Sequence, residues 1–298
     1  MRHPSVSRPI IRYKGAALDA DVRLFSNLWP LSSPLLFRGI VFHSSEHLYK
    51  WIKSKFFGDE DVAGKVLATA RPRDLLSLAR QKSAKWTAIQ GRVMTSILIM
   101  KFGSCPVLQT RLLGTGNAHL VEDTVDPLWG CGRDGRGKNL HGRCLIDARA
   151  ALRSGYSRPA TVILGDSLLA GISVAGAEIV CIRGACAPES CLLAELFAQD
   201  RGVLDVILHI GTNDLFPRHP ANMTVERARH FQYRLVQRLD GMSRRNLHIN
   251  ISISLILPRW CDQGVPTHLQ RRASFNSTLG PRLEKLRAKR ANVAVIDH

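Results

Sequence analysis

A glycine-rich loop that also carries cations is the segment best suited to bind a phosphorylated ligand. Its residues are Trp129, Gly130, Cys131, Gly132, Arg133, Asp134, Gly135, Arg136, Gly137, Lys138 and Asn139. Glycine permits positive φ and close approach, so several backbone N–H groups could face one anion beside the positive end of a helix beginning near Asn139. The cations would add charge-assisted hydrogen bonds, Asp134 would orient ribose hydroxyls, and Trp129 would stack a base. A surface hairpin with a buried tryptophan explains the glycines but leaves the charged side chains without a purpose.

Glu46, in Ser45-Glu46-His47, is the candidate catalytic carboxylate. Cleavage of an N-glycosidic bond builds positive charge on the sugar ring, and a carboxylate beside the anomeric carbon can stabilise that cation or activate water. A glutamate in the first turn of a helix also complements the helix dipole without doing any chemistry. Spacing alone favours this second interpretation.

Three motifs, in order, resemble the NADAR (YbiA-like) family of N-glycosidases across about residues 23–152. They are Phe25-Ser26-Asn27-Leu28-Trp29-Pro30, Ser45-Glu46-His47 and the glycine-rich loop. The resemblance favours the catalytic interpretation of Glu46 over the helix-dipole interpretation, and it implies that Glu46 and Asp134 are catalytic. It also implies that Phe25 and Asn27 bind substrate together with the loop residues. The family's substrates are riboflavin-pathway ribosylamino intermediates or ADP-ribosylated nucleobases, and the sequence does not choose between them.

A second constellation, beyond residue 160, resembles the SGNH (GDSL-type) hydrolases. Gly165-Asp166-Ser167-Leu168 and Gly211-Thr212-Asn213-Asp214 each follow a predicted strand, as does Gly184. Carboxyl ends of neighbouring parallel strands meet at a switch point, which would bring Ser167 and Asn213 together. The resemblance implies that Ser167 is the nucleophile, and that its own N–H, the Gly184 N–H and the Asn213 amide form an oxyanion hole.

The base that a serine nucleophile requires is missing from the sequence pattern. The family places an Asp-x-x-His block after its last strand, but here that strand is followed by Asp297 and His298, with Val295 at the aspartate position. His209 lies within a strand and reads as a core residue, whereas His219 lies in a loop. Without a histidine to accept its proton, Ser167 is a poor nucleophile. This region is therefore predicted to be inactive, either as an incomplete hydrolase or as a retained binding fold.

The elements that position these residues divide the chain into two predicted domains, 23–152 and 160–298, joined by a linker at 153–160. The first reads as α+β and mostly helical, with one strand candidate at Leu35 to Phe42. The second alternates apolar strands with helices, which predicts a doubly wound, flavodoxin-like parallel sheet of order 2-1-3-4-5. Its predicted strands are 161–165, 178–182, 204–210, 247–257 and 292–296.

Composition narrows the class of protein. The 298 residues are 45% hydrophobic and 22% charged, and they contain no apolar run near the ~20 residues that span a bilayer. No apolar segment follows the basic start, so a cytoplasmic protein is expected. The 7 cysteines form no CxxC pair, which argues against disulfides and a structural metal. No cofactor is expected, because this hydrolysis needs none.

A formal charge of +18 attracts phosphates, so the expected partner is a phosphorylated riboside or an ADP-ribose-type molecule. Nucleic acid is a second candidate partner, although the basic residues are not gathered with aromatics. The leading function is an N-glycosidase. The alternatives are a Ser167-dependent esterase and a non-catalytic module that binds ADP-ribose or nucleic acid.

Overall fold

The chain forms two compact units, Met1–Ser157 and Arg158–His298. The computed structural model describes residues 8–14, 20–153, 159–200, 202–215, 225–256 and 266–296. The centre of the predicted linker, 154–158, lies outside the described residues. In the described parts, no single helix is long and apolar enough to cross a bilayer, and one bent pair, Ala84–Gly103 with Pro106–Gly114, passes the same criteria only together.

The first unit is mostly helical, as predicted. Its helices are α1 (Ala20–Arg23), α2 (Ser45–Phe56), α3 (Glu60–Ala68), α4 (Ala84–Gly103), α5 (Pro106–Gly114) and α6 (Leu140–Leu152), with a 3₁₀ turn at Asp74–Ser77. Its strands are β1 (Ile10–Tyr13), β2 (Leu35–Phe37), β3 (Ile40–Phe42) and β4 (His119–Glu122).

Helix α4 is the centre of the first core. It begins after Ser83, whose hydroxyl accepts a hydrogen bond from the Trp86 N–H at 3.1 Å. Val93 and Ile97 are fully buried, and each such side chain contributes about 1.5–3 kcal/mol relative to an exposed one. Gly91 lets α6 approach closely, since a Cβ there would lie 3.3 Å from Leu140 Cδ1.

The strands of this unit differ from the prediction in two ways. The single strand predicted at 35–42 is a hairpin, because Arg38 and Gly39 take φ of 53° and 77° and turn the chain back. A parallel pair, β1 with β4, was not predicted, since each strand has only four residues and therefore little periodicity. This pair sets Tyr13 opposite Glu122.

The second unit is an α/β structure around one parallel sheet. Its elements are β5 (Thr161–Gly165), β6 (Ala177–Cys181), α7 (Ala187–Phe197), β7 (Asp205–His209), α8 (Thr212–Leu215), α9 (Val225–Arg245), β8 (Asn250–Ser254), α10 (Pro266–Lys289) and β9 (Val293–Ile296). The five strands lie in the order β6-β5-β7-β8-β9, which is the predicted 2-1-3-4-5. Alternate residues of β5 and β7, such as Val162 and Val206, are fully buried in its core.

Candidate active site

Glu46 lies in the first turn of α2 but is buried. The helix begins after Ser44, whose hydroxyl accepts a hydrogen bond from the His47 N–H at 3.2 Å, so Ser44 is the cap. Glu46 is only 7% exposed. A glutamate that merely complements the helix dipole has no need to leave water, and burial of a carboxylate is costly. Its burial therefore favours a chemical role over the dipole interpretation.

Two neighbours compensate for the burial of the Glu46 carboxylate. Lys50, one turn later, places Nζ 3.7 Å from Glu46 Oε1 and donates to the Leu78 carbonyl at 3.0 Å. Burial raises the Glu46 pKa above its ordinary value, while Lys50 and a side-chain hydrogen bond from Asn27 lower it in part. The site thus pairs a buried glutamate with a largely buried lysine.

Asn27 connects Glu46 to a buried histidine. Its carbonyl accepts the Glu46 backbone N–H at 3.2 Å, and its side-chain Oδ1 lies 2.6 Å from His141 Nε2. An amide oxygen only accepts, so His141 carries its proton on Nε2. Burial and the charge of Lys101 lower the His141 pKa to about 3, which keeps the ring neutral. Nδ1 of His141 then accepts from the Tyr13 hydroxyl at 2.7 Å.

The resulting chain of hydrogen bonds runs from Tyr13 through His141 and Asn27 to Glu46. Of its members, sequence reasoning found Asn27 and Glu46 and missed Tyr13 and His141. The only available signal was the position of His141, two residues after Asn139 at the start of a predicted helix.

Phe25 and Lys101 hold the segment that carries Asn27. Phe25 is 3% exposed, and its ring lies 5.8 Å from that of Tyr13 and 6.1 Å from that of Phe102, centroid to centroid. The structure thus places Phe25 in the core, and its contact with substrate stays a prediction. Lys101 is fully buried and donates to the Ser26 carbonyl at 2.9 Å, and burial lowers its pKa to about 7.

Trp129 borders the same site. Its ring meets that of Tyr49 edge-on, with centroids 5.4 Å apart, and Tyr49 lies one turn after Glu46 on α2. The backbone N–H of Trp129 donates to Asp126 Oδ1 at 2.8 Å, which fixes the start of the glycine-rich loop. Trp129 as a whole is partly exposed to solvent.

The predicted backbone cradle for phosphate is wrong for most of the glycine-rich loop, because its N–H groups bond within the protein. Those of Gly130, Cys131, Gly137, Lys138, Asn139, Leu140 and His141 donate to carbonyls of residues 122–131 at 2.6–3.1 Å. The carbonyls of Leu128 and Trp129 therefore occupy the start of α6, where an anion was expected.

Close crossing of chain segments accounts for two of the glycines. A Cβ on Gly137 would lie 2.4 Å from the Gly130 carbonyl oxygen, and one on Gly130 would lie 2.0 Å from Thr124 Oγ1. Gly132 and Gly135 take φ of 72° and 73° and turn the chain. In sequence, a glycine needed for such a crossing looks the same as a glycine needed for a ligand.

Asn139 bridges the loop to β4. Its Oδ1 accepts the Glu122 N–H at 2.9 Å, and its Nδ2 donates to the Leu120 carbonyl at 2.8 Å. The residue is buried and left-handed, with φ of 48°. Its amide therefore holds the loop to β4, and its contact with substrate stays a prediction.

The tip of the loop is exposed and basic. Asp134 lies there and accepts the Arg136 N–H at 3.1 Å, so the carboxylate folds back on its own loop. Within the residues that the structure describes, the side chains of Arg133, Arg136 and Lys138 form no ion pair or hydrogen bond. These cations remain available to an anion that approaches from solvent.

In the second unit, the ends of three strands meet as predicted. Asp166 is buried, and its Oδ2 accepts from Asn213 Nδ2 at 3.2 Å, while the same Nδ2 donates to the Ala185 carbonyl at 2.9 Å. The Asn213 amide is therefore occupied rather than open as an oxyanion donor. Ser167 is exposed, and Gly184 lies in the turn after β6 with φ of 73°.

In the described part of the chain, no histidine forms a hydrogen bond with Ser167. His209 is buried, and its Nδ1 lies 2.8 Å from Ser254 Oγ, which agrees with the predicted core position. His219 and His298 lie outside the described residues. Across the described ranges, no three side chains of His, Cys, Asp or Glu are grouped in a way that could hold a metal ion.

The first unit is similar in sequence to a known domain family and to several known proteins. A model of the NADAR domain matches residues 17–153. The chain is 31% identical to the N-glycosidase Npun_R5314 of Nostoc punctiforme, over 37% of this chain and 73% of that protein. It is 32% identical to the N-glycosidase YbiA of Escherichia coli K12, over 43% of this chain and 80% of that protein.

Two further comparisons involve a longer protein and a solved structure. The riboflavin biosynthesis protein VVA0006 of Vibrio vulnificus is 31% identical over 51% of this chain and 41% of its own length. The NMR structure of the E. coli protein YbiA aligns with a TM-score of 0.41 and 29% identity, over 49% of this chain and 87% of that chain. The region matched by the NADAR model falls entirely within the first unit.

Proposed function

The chain belongs to the NADAR domain family, and from that premise we propose that its first unit hydrolyses the N-glycosidic bond of a phosphorylated riboside with the help of Glu46. Its class, N-glycosidase, is that of the relatives with 31% and 32% identity. One observation carries the role of Glu46: a carboxylate in a first helical turn is buried and held by Lys50 and Asn27.

The proposed chemistry follows from charge. As the bond from the anomeric carbon to the base breaks, the ring becomes cationic, and an ionised Glu46 stabilises it or takes a proton from the attacking water. Lys50 and a hydrogen bond from Asn27 lower the Glu46 pKa and so oppose the effect of burial on the carboxylate. In this proposal Trp129, which is partly exposed, stacks on the base, while Arg133 and Lys138 attract the phosphate.

Two substrate classes fit this chemistry. The Vibrio relative is named for riboflavin biosynthesis, which supports a ribosylamino intermediate of that pathway. An ADP-ribosylated nucleobase has the same five-carbon sugar, phosphate and N-glycosidic bond. We place the riboflavin-type substrate first because the name of the Vibrio relative supports it.

Turnover assays with a matched pair of variants test this proposal. Wild-type chain is incubated with ribosylamino-pyrimidine phosphate and with an ADP-ribosylated nucleobase, and free base and sugar phosphate are quantified. Glu46→Gln should lower kcat at least about 100-fold, since it removes the charge that stabilises the transition state. Glu60→Gln, at an exposed position in the first turn of α3, should leave kcat unchanged.

The alternatives give different results in the same assay. Equal loss in both variants, or unchanged turnover in Glu46→Gln, rules out Glu46 as the catalyst. Binding of ADP-ribose without turnover of any substrate indicates the non-catalytic binding module instead. Binding to any polynucleotide that depends on salt but not on the loop cations indicates a nucleic-acid partner.

For the second unit we propose an SGNH-like fold that serves a purpose other than ester hydrolysis. The strand order and the contact of Asp166 with Asn213 support the fold. The bond from Asn213 to the Ala185 carbonyl removes an oxyanion donor, so this geometry gives the Ser167-dependent esterase no support.

A further inference from the structure

Glu122 is a second carboxyl group beside the Glu46 network, and it is partly buried. It ends β4, and its backbone is fixed on both sides, because its N–H donates to Asn139 Oδ1 at 2.9 Å and its carbonyl accepts from Cys131 at 2.9 Å. Its side chain is 15% exposed, and Oε1 lies 3.9 Å from His141 Nδ1. That distance is too long for a hydrogen bond, and Nδ1 already accepts from Tyr13 at 2.7 Å.

No hydrogen bond reaches the Glu122 carboxyl within the described ranges of the chain. The groups that face it are Tyr13 from β1, His141 from α6, Glu46 from α2 and Asp126 from the following loop. His141 is neutral, and the other ionisable neighbours are acidic. Burial, followed by the charges of Glu46 and Asp126, raises the Glu122 pKa to about 7.

The two carboxyl groups therefore differ in the way that acid–base catalysis requires. Glu46 has the Lys50 ammonium at 3.7 Å and a hydrogen bond from Asn27, which favour the ionised form. Glu122 has acidic neighbours, which favour the protonated form near neutral pH. Burial raises the pKa of both groups, but Lys50 and Asn27 oppose this rise at Glu46, whereas the charges of Glu46 and Asp126 add to it at Glu122. Two carboxyl groups whose neighbours act in opposite directions can divide the work of acid and base between them.

Building on the proposed N-glycosidase function, we propose that Glu122 is the general acid that protonates the departing base. The C–N bond breaks and its electron pair goes to the base nitrogen, which takes the proton of the Glu122 carboxyl. Water adds through oxygen to the anomeric carbon and gives its proton to the Glu46 carboxylate. The step leaves Glu122 ionised and Glu46 protonated, and exchange of one proton through solvent restores both.

The leaving group tests this role. A ribosylamino-pyrimidine phosphate departs as a basic nitrogen and needs the proton, whereas 4-nitrophenyl riboside 5-phosphate departs as a stable phenolate. Glu122→Gln should lower kcat about 100-fold or more on the first substrate. It should change kcat less than about threefold on the second, because the phenolate needs no proton to leave. Glu46→Gln should lower turnover of both substrates.

The pH dependence gives a second readout. An acid must be protonated to act, so wild-type turnover of the nitrogen substrate should fall above about pH 7. This alkaline decline should be absent in Glu122→Gln and in wild-type turnover of the nitrophenyl substrate.

Each outcome bears on one claim. Equal losses on both substrates would make Glu122 a structural residue and overturn its acid role, with the glycosidase intact. A misfolded variant would also lose both activities, and its circular dichroism would show it. In that case Glu122→Asp decides: a selective loss on the nitrogen substrate supports the acid role, and no selectivity overturns it. An inactive wild-type chain would overturn the proposed function itself.

Discussion

At the residue scale, the catalytic role proposed for Glu46 depends on the burial of its carboxyl group. A carboxylate taken out of water interacts more strongly with developing positive charge, provided that the protein keeps it ionised. Lys50 and Asn27 supply that compensation. The hydrogen bonds from Tyr13 to His141 and from His141 to Asn27 then determine which way the Asn27 amide points.

This network makes a prediction for Tyr13→Phe. Without the Tyr13 hydroxyl, His141 Nδ1 loses its hydrogen-bond donor. The tautomer that carries its proton on Nε2, and donates it to Asn27, is then no longer favoured. Asn27 lowers the Glu46 pKa in the wild type, so a weaker bond should raise it. Glu46 acts when ionised and its activity is lost as pH falls through its pKa. The acidic limb of kcat against pH should therefore move to higher pH.

The control for this experiment is Tyr233→Phe, on α9 in the second unit, where the tyrosine is 54% exposed. Its pH profile should match the wild type. An unmoved acidic limb in Tyr13→Phe would show that the hydrogen-bond chain does not act on Glu46.

Sequence alone supplied part of this site. The Ser45-Glu46-His47 motif identified the carboxylate, and the Phe25 to Pro30 motif identified Asn27 beside it. Tyr13, Glu122 and His141 were missed, because they meet only through the pairing of β1 with β4 and the packing of α6. Such long-range contacts between short elements leave no periodic signal in the sequence.

At the element scale, the glycine-rich loop is a structural junction with an exposed basic tip. Backbone hydrogen bonds fasten it to the end of β4 and the start of α6. Asn139 fastens it to β4 a second time. Composition suggested a phosphate cradle because it cannot show where backbone N–H groups point.

Two alanine substitutions distinguish a glycine that allows chain segments to cross closely from a glycine that only provides a positive φ. Gly137→Ala would place a Cβ 2.4 Å from the Gly130 carbonyl oxygen, so the loop must shift, and we expect a loss of about 2 kcal/mol or more in unfolding free energy. Gly135→Ala meets nothing within 4 Å and should cost only about 1 kcal/mol, for its positive φ. Urea unfolding measures both. Equal losses of unfolding free energy in the two variants would show that Gly137 is not needed for close crossing of the chain segments.

At the scale of the whole molecule, two units with different architectures share one chain. The helical class of the first unit and the strand order of the second were predictable, because long amphipathic helices and apolar strands repeat at clear periods. The net charge of +18 gives the whole chain a field that attracts phosphorylated ligands.

The division of labour between the units makes a further prediction. Ser167→Ala in the full chain should leave N-glycosidase turnover unchanged, since every proposed catalytic group lies in the first unit. Hydrolysis of 4-nitrophenyl acetate should be no faster with the wild-type chain than with this variant. A wild-type esterase rate that the substitution abolishes would restore Ser167 as a nucleophile.

In the proposed mechanism, Glu46 assists attack of water on the anomeric carbon. Hydrolysis of ribosylamino-pyrimidine phosphate in ¹⁸O-labelled water, followed by mass spectrometry, tests it most directly. The wild-type chain should place the label on the sugar phosphate and none on the base, and Glu46→Gln should place about 100-fold less label in the same time. Label on the base, or equal labelling by both proteins, would show that Glu46 does not assist attack of water at this carbon.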